Sequence, residues 1–295
     1  MVTVRDVDIS HGRFHCGARK YRRAKNFPGG GLLPPHLKII QYNIRSWKKN
    51  KTEFLSRLNT VKPHVIMIQE SWLTPKDAVV KVKGYHVERL DRVQPRQGDV
   101  ARGGGLLTLI RTSDDCGDNL QIQPLQRLTL TEDSTTEILQ VKVIWRGSAV
   151  VISNVYIPPI GATRGEERVQ KFEADHAFSS CLNSDVLSQH IIAGDFNCHH
   201  EFWDPFLDSD EMGDDIVEWA GSNAMKISNS GSATYEYKDR VSGGVKLSVP
   251  DVTLSSEGLM IKCWAPMDPT SSDHHPIIFQ MAIADDATLT RMRTF

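Results

Sequence analysis

A chain of 295 residues carrying 35 Lys and Arg against 36 Asp and Glu has no global charge to draw it to nucleic acid, so such a partner would have to be met by local patches. The length suits one large α/β domain or two small ones, and the apolar and charged fractions, 40% and 24%, are those of an ordinary globular protein. Five scattered cysteines without CxxC spacing argue against a disulfide framework and suggest a reducing compartment; no run is long enough to span a membrane, and no apolar segment near Met1 predicts export.

Residues 1–35 read as a basic arm and linker. Arg13, Arg19, Lys20, Arg22, Arg23 and Lys25 stand among few large apolar residues, and PGGGLLPP then breaks the chain. The arm could touch nucleic acid, direct import into the nucleus, or simply be a solvated leader. From Leu37, LKIIQYN predicts a strand ending at Asn43, followed by the basic and aromatic loop of Arg45, Ser46, Trp47, Lys48 and Lys49. Asn50 with Glu53 suggests a capping box; Phe54, Leu55, Leu58 and Val61 share a helical face, and Pro63 stops the helix. Residues 65–68 form a second buried strand that delivers Gln69 and Glu70. Strand, helix, strand is the unit of a layered α/β fold.

Gly103–Gly105 before LLTLI could cradle a phosphate, but neither GxGxxG nor GK[ST] is present, and a tight turn into a buried strand is the better reading. Residues 136–145 and 149–157 predict a hairpin turning at Arg146 and Gly147, with Asn154 and Tyr156 at the end of its second strand. A helical composition over 166–182 follows. Next comes IIAGDFNCHH, a buried strand whose Gly194 lets the backbone leave the sheet, with Asp195 and Asn197 two apart. Beyond it lie Trp203, a helix around 214–223, and a strand over 250–254 holding Asp251. SSDHHPIIFQMAI then carries Asp273 and His274 into a final strand. Residues 36–284 read as one domain, and 285–295 as a polar tail.

Polar side chains therefore stand at the mouths of separate strands: Asn43, Glu70, Tyr156, Asp195 with Asn197, Asp251, and Asp273 with His274. Strand ends of a layered sheet open on a common edge where several loops can assemble one site. Carboxylate and amide oxygens are hard ligands suited to Mg²⁺, and Mn²⁺ accepts them as well. Taken singly, Asp195 and Asn197 could form an Asx-turn, Asn43 a turn cap, Glu70 a solvated strand end, and Tyr156 a core aromatic. Cys198, His199, His200 and His275 invite a zinc reading, but neighbours on an extended segment point to opposite sides, so structure or DNA contact suits His199 and His200 better. Trp203 is expected to pack beneath that loop.

The ordered set QYNIRS, QESWL, GGGLLTLI, NVYIPP, GDFNCHHEFWD and SSDHHPI resembles the endonuclease/exonuclease/phosphatase superfamily, DNase I-like nucleases and AP endonucleases included. It is most similar to the endonuclease domain of non-LTR (LINE-type) retrotransposons, from Leu37 to Ile283. The resemblance implies a four-layered α/β sandwich of two packed mixed sheets flanked by helices. It implies that Glu70 is the principal Mg²⁺ ligand, with Asn43 positioning metal or phosphate and Asp273 a second acid near the metal. Asp195 would orient or deprotonate the attacking water with Asn197 beside it. His274, held by Asp251, would contact the phosphate, and Tyr156 would support the phosphate or the leaving oxygen. Arg45 stands where AP endonucleases usually carry an acid, which favours the retrotransposon branch.

The activity so implied is Mg²⁺-dependent nicking of one strand of duplex DNA, leaving a 3′-hydroxyl that primes reverse transcription, in the nucleus. A reverse transcriptase domain of the same element would be the partner; the polymerase itself is not expected in this chain, which reads as an excised domain or a truncated product. Arg45, Lys48, Lys49 and His199 are expected to touch DNA, as is Thr234, and phosphate contacts of this kind position a duplex without reading sequence. YEYKDRVSGGVKL, at 235–247, would form a hairpin that probes a DNA groove. The rivals are an AP endonuclease, a phosphoesterase acting on lipid or inositol phosphates, and a catalytically silent nucleic-acid-binding module on the same scaffold.

Overall fold

The computed structural model describes residues 36–92, 103–112, 121–129, 136–145, 147–159, 178, 181–182, 189–239 and 243–283. The basic arm at 1–35, most of the helix expected over 166–182, and the tail at 285–295 lie outside the described residues. The elements are β1 Leu37–Asn43, α1 Trp47–Val61, β2 Val65–Gln69, β3 Tyr85–Leu90, β4 Leu106–Arg111, β5 Gln121–Thr129, β6 Glu137–Trp145, β7 Ser148–Tyr156 and β8 Gln189–Asp195. After these come α2 Glu211–Ser222, β9 Met225–Ile227, β10 Tyr235–Lys238, β11 Val245–Ser248, β12 Asp251–Ser256, β13 Leu259–Pro266 and β14 Ile277–Ile283.

Two six-stranded sheets carry the fold. The first has the order β13-β14-β1-β2-β4-β3 and the second β5-β6-β7-β8-β12-β9, while β10 and β11 pair as a separate hairpin. Both sheets are mixed: β1 runs parallel to β2, β7 parallel to β8, and the other pairings are antiparallel. Side chains two apart on a strand share a face, and β1 shows the consequence. Leu37 and Ile39 join Val65 and Met67 of β2 in the core between the sheets, whereas Ile40 and Tyr42 join Ile66 and Ile68 under α1. Strands buried on both faces are why 37–43 and 65–69 read as near-continuous apolar runs.

Helix α1 covers the outer face of the first sheet through Phe54 and Leu58. It begins earlier than the capping-box reading predicts. Ser46 precedes the first turn without a side-chain cap, and Asn50 lies inside the helix, its Nδ2 donating to Ile44 O and Arg45 O at 2.7 and 3.2 Å. Glu53 accepts from Ser271 N at 3.0 Å instead of closing a box. The stop is as expected: Lys62 turns left-handed, donates its N–H to Leu58 O at 2.8 Å, and Pro63 follows. Helix α2 also starts earlier than read, because Asp210 caps it by accepting from Gly213 N at 2.7 Å. Gly213 admits the loop before it, since a Cβ there would lie 2.0 Å from His199 O. The β6–β7 hairpin and the β10–β11 hairpin both form where the sequence places them. No helix among the described residues is long and apolar enough to cross a membrane.

Candidate active site

Topology brings the polar strand ends to one edge. β1 and β2 are parallel, so Asn43 and Gln69 face each other in register at their ends; β7 and β8 are parallel, so Tyr156 and Asp195 do the same in the second sheet. β12 runs against β8 and begins beside its end, which sets Asp251 opposite Asp195. β14 likewise runs against β1, which brings the preceding loop with Asp273 and His274 to the same edge. Two carboxylates directly opposite on neighbouring strands repel. Here the ring of His274 relieves them: Nδ1 lies 3.0 Å from Asp251 Oδ2, and Nε2 lies 3.7 Å from Asp195 Oδ2.

All three groups are buried. Burial works against an imidazolium, but the charges of Asp251 and Asp195 outweigh it and raise the His274 pKa to about 9. Asp195 is pushed up, first by burial and then by Asp251 and Glu70, with His274 opposing the shift. A protonated His274 between two acids is therefore the resting arrangement near neutral pH. Asp251 is further held by Thr234, whose hydroxyl donates to Oδ2 at 2.7 Å. That corrects the expected DNA contact of Thr234: it is fully buried and positions Asp251.

The sheets meet through Asn43. Its Nδ2 donates to Glu70 Oε1 at 3.0 Å and to Asp195 Oδ2 at 2.7 Å, while its Oδ1 accepts from Arg45 N at 3.2 Å. Asn43 thus holds the two acids apart, and its oxygen is turned to the backbone in this amide orientation. Glu70 also accepts from Trp72 Nε1 at 3.0 Å. Tyr156 packs beside it, its hydroxyl bonded to Glu70; burial and the charges of Glu70 and Asp195 raise its pKa far above the usual value, so it stays a phenol. Gly103 admits that hydroxyl, since a Cβ there would lie 2.8 Å from it, and φ is positive at Gly103, Gly104 and Gly105. The three glycines bend the chain into β4 and wall the site beside Tyr156. Asn197 donates its N–H to Asp195 Oδ1 at 3.1 Å and its Nδ2 to Ile157 O at 2.8 Å, which fixes the loop that carries it.

Arg45 lies on the open side. It is ion-paired with Asp273, and its Nε is 4.0 Å from Glu70 Oε2. The β10–β11 hairpin leans on the same loop: Glu236 N donates to Asp273 O at 2.9 Å, His275 N to Thr234 O at 2.7 Å, and the ring of Tyr235 meets His274 edge-on at 4.7 Å.

Residues 150–278 match the family model described as endonuclease-reverse transcriptase. No curated protein matches the sequence. Among solved structures, the endonuclease domain of TRAS1, a telomere-specific non-LTR retrotransposon, is similar over 85% of this chain and 100% of that one, with 19% identity and a TM-score of 0.58. The AP endonuclease LMAP from Leishmania major is similar over 84% and 88%, with 18% identity and a TM-score of 0.59. An endonuclease/exonuclease/phosphatase family protein from Bacteroides thetaiotaomicron is similar over 86% and 100%, with 14% identity and a TM-score of 0.59.

The chain has the endonuclease/exonuclease/phosphatase fold.

Enzymes of this fold work with divalent metals, and the donor set fits one. Glu70 offers a nearly buried carboxylate, and Asp273 Oδ1 is buried without a hydrogen-bond partner. Oxygen-only donors suit a hard cation such as Mg²⁺ or Mn²⁺. Asp195, Asp251 and His274, with ligand atoms within 4.8 Å of one another, are the one group of three potential ligands among the described residues. The zinc grouping does not assemble. Cys198 is core-buried, and burial holds its thiol neutral; His200 stacks on Trp203, which is buried as expected. His199 is tied to Asp204 at 2.7 Å and is half-buried. Lys48 is exposed and paired with Asp77, and Lys49 is exposed. The sequence reading missed Trp72 and Tyr235 as site neighbours. Trp72 lies two residues after Glu70, and Tyr235 follows Thr234.

Proposed function

We propose that this chain is a metal-dependent endonuclease that cuts one strand of duplex DNA and leaves a 3′-hydroxyl, with Mg²⁺ as its ion and Mn²⁺ able to replace it. The observation that carries the reading is the continuous set Glu70–Asn43–Asp195–His274–Asp251, joined across both sheets at one edge. The family model, described as endonuclease-reverse transcriptase, supports it. Glu70 would hold the cation, which supplies charge neutralisation at the phosphate. Asp195, whose pKa burial raises toward that of a useful base, takes the proton of a water that adds to phosphorus. The bond from phosphorus to O3′ breaks, and O3′ takes up a proton from solvent. The His274 imidazolium and the Tyr156 phenol donate to the phosphate oxygens as charge develops there.

In the same reading residues 36–284 are the nuclease domain, and Arg45, Lys48, Lys49 and His199 lie along the DNA. The β10–β11 hairpin probes a groove, and the nick primes a reverse transcriptase domain of the same element. A nuclear location is the corollary, motivated by the basic residues of 1–35 and checked by imaging a fluorescent fusion with and without them.

Supercoiled plasmid is the test substrate. Open-circular product that needs both Mg²⁺ and His274 is expected, and it should vanish with chelator and in His274→Ala. Product formed equally by His274→Ala would sink the reading. Cleavage of an abasic duplex far faster than intact DNA would move the chain to AP endonuclease chemistry. An intact plasmid and intact abasic duplex, with retained DNA binding, would make it a silent binding module.

A further inference from the structure

Between the apolar core and the catalytic row, the two sheets are joined by amides rather than by hydrocarbon. β1 turns Leu37 and Ile39 into the core; Gln41 and Asn43 follow on the same face. Gln41 is fully buried. Its Nε2 donates to Gly194 O, directly before Asp195, at 2.8 Å, and its Oε1 accepts from Thr253 Oγ1 at 3.1 Å, two residues past Asp251. Trp264 of β13 donates Nε1 to the same hydroxyl at 3.0 Å and so returns the link to the first sheet. A second link runs the other way. Asn154 of β7 accepts at Oδ1 from Gln69 Nε2, directly before Glu70, at 2.6 Å; its Nδ2 donates to Ile68 O at 3.2 Å and Leu107 O at 3.0 Å.

Each link ends within two residues of a site residue, and all its side chains are buried. Stability alone does not require them, because replacing both partners of a buried hydrogen bond by apolar groups of the same shape can be nearly neutral. Apolar packing is tolerant of small shifts and lacks direction. The catalytic row is not tolerant: Asn43 must reach a carboxylate on each sheet at 3.0 and 2.7 Å. A misplacement of about 1 Å at such a site can cost on the order of a hundredfold in rate.

We infer that Gln41 and Asn154 are positioning residues, whose buried amide links hold the two sheets in the register that lets Asn43 span Glu70 and Asp195. This rests on the nuclease reading, so its test carries a readout independent of cutting. Gln41→Met and Asn154→Leu keep bulk and remove the links. Gln140→Met is the control: it removes an equally buried amide, bonded to Ser153 Oγ at 2.9 Å and Cys181 O at 3.2 Å, away from the site. Plasmid nicking, thermal melting and the NMR signal of the Asn43 side-chain amide are measured on all. Gln41→Met and Asn154→Leu should each lose at least tenfold in kcat with KM within about twofold and a shifted Asn43 amide signal, while Gln140→Met changes neither at a comparable melting temperature. Should Gln41→Met fail to fold, Thr253→Val, which removes only the hydroxyl between Gln41 and Trp264, takes its place with the same expected signs; should Asn154→Leu fail, Gln69→Met, which removes the other partner of that link, does so. An Asn43 amide signal unchanged in the link variants, or a kcat loss equal to that of Gln140→Met, overturns the inference. If the wild type cuts no DNA, the nuclease reading fails alone and the Asn43 amide signal still decides this one.

Discussion

The two halves of the site are built differently. At the second sheet Asp195 and Asp251, with His274 reaching them from the loop before β14, are almost wholly buried, and the positive member is a histidine that can lose its proton. Toward the first sheet Glu70 and Asp273 face Arg45, whose charge is permanent and whose side chain is 42% exposed. Charges in the buried half act at low dielectric and are little screened by salt, whereas the open half is accessible to ions and to a polyanion. In the proposed nuclease the buried side would handle protons at the scissile phosphate, and the open side would take the cation and the DNA backbone.

The strongest way to break that division is to remove each half in turn. His274→Ala and Asp195→Asn should each lower the nicking rate by at least about a hundredfold, the usual worth of a positioned acid or base, with duplex binding by fluorescence anisotropy little changed. Arg45→Ala should act mainly on kcat/KM, by about tenfold, and less at high salt, as expected for one charge-assisted phosphate contact. If its loss matched that of His274→Ala and ignored salt, the two halves would not be separate.

Titration sharpens the same contrast without substrate. The folded His274 pKa is raised from 6.5 to about 9, so the protonated ring stabilises the metal-free protein fully below about pH 6.5, and that stabilisation is lost as pH rises through 9. The melting temperature of wild type relative to His274→Asn should therefore narrow between those values; a gap constant across the window would mean that the ring is neutral throughout. The smallest effect is expected from shortening the β10–β11 hairpin beyond Tyr237 and Val245, both exposed. Nick positions on a long duplex should shift, with the total rate within about threefold.

Much of this was legible. Strand ends could be read because each apolar run stops at a polar residue, and parallel pairing of β1 with β2 and of β7 with β8 then sends those ends to one edge. What escaped depended on partners far along the chain. Asn50 and Glu53 look like a capping box until Ser271, 218 residues after Glu53, claims the carboxylate. The resemblance sets Thr234 near the site without saying what it touches; only its hydrogen bond to Asp251 shows it buried there. Gln41 had a usable signal, since it stands two residues before Asn43 on a buried strand and must share its face. The partner of Arg45, in contrast, lies 228 residues away and leaves no local trace.

Backbone conformation has one more consequence. Arg45, Ser46, Glu70, Trp72 and Asn197 are five of the eight non-glycine residues with positive φ among the described residues. Such residues cost on the order of 1–3 kcal/mol each and persist where surrounding bonds over-determine them, here Ser46 N to Glu70 O, Trp47 N to Ser71 O, and Trp72 N to Gly104 O, at 2.9, 2.9 and 3.0 Å. Glycine at Arg45 or Ser46 would relieve that strain. Stability is given up to hold the mouth of the site in shape, so a Ser46→Gly variant should melt above wild type.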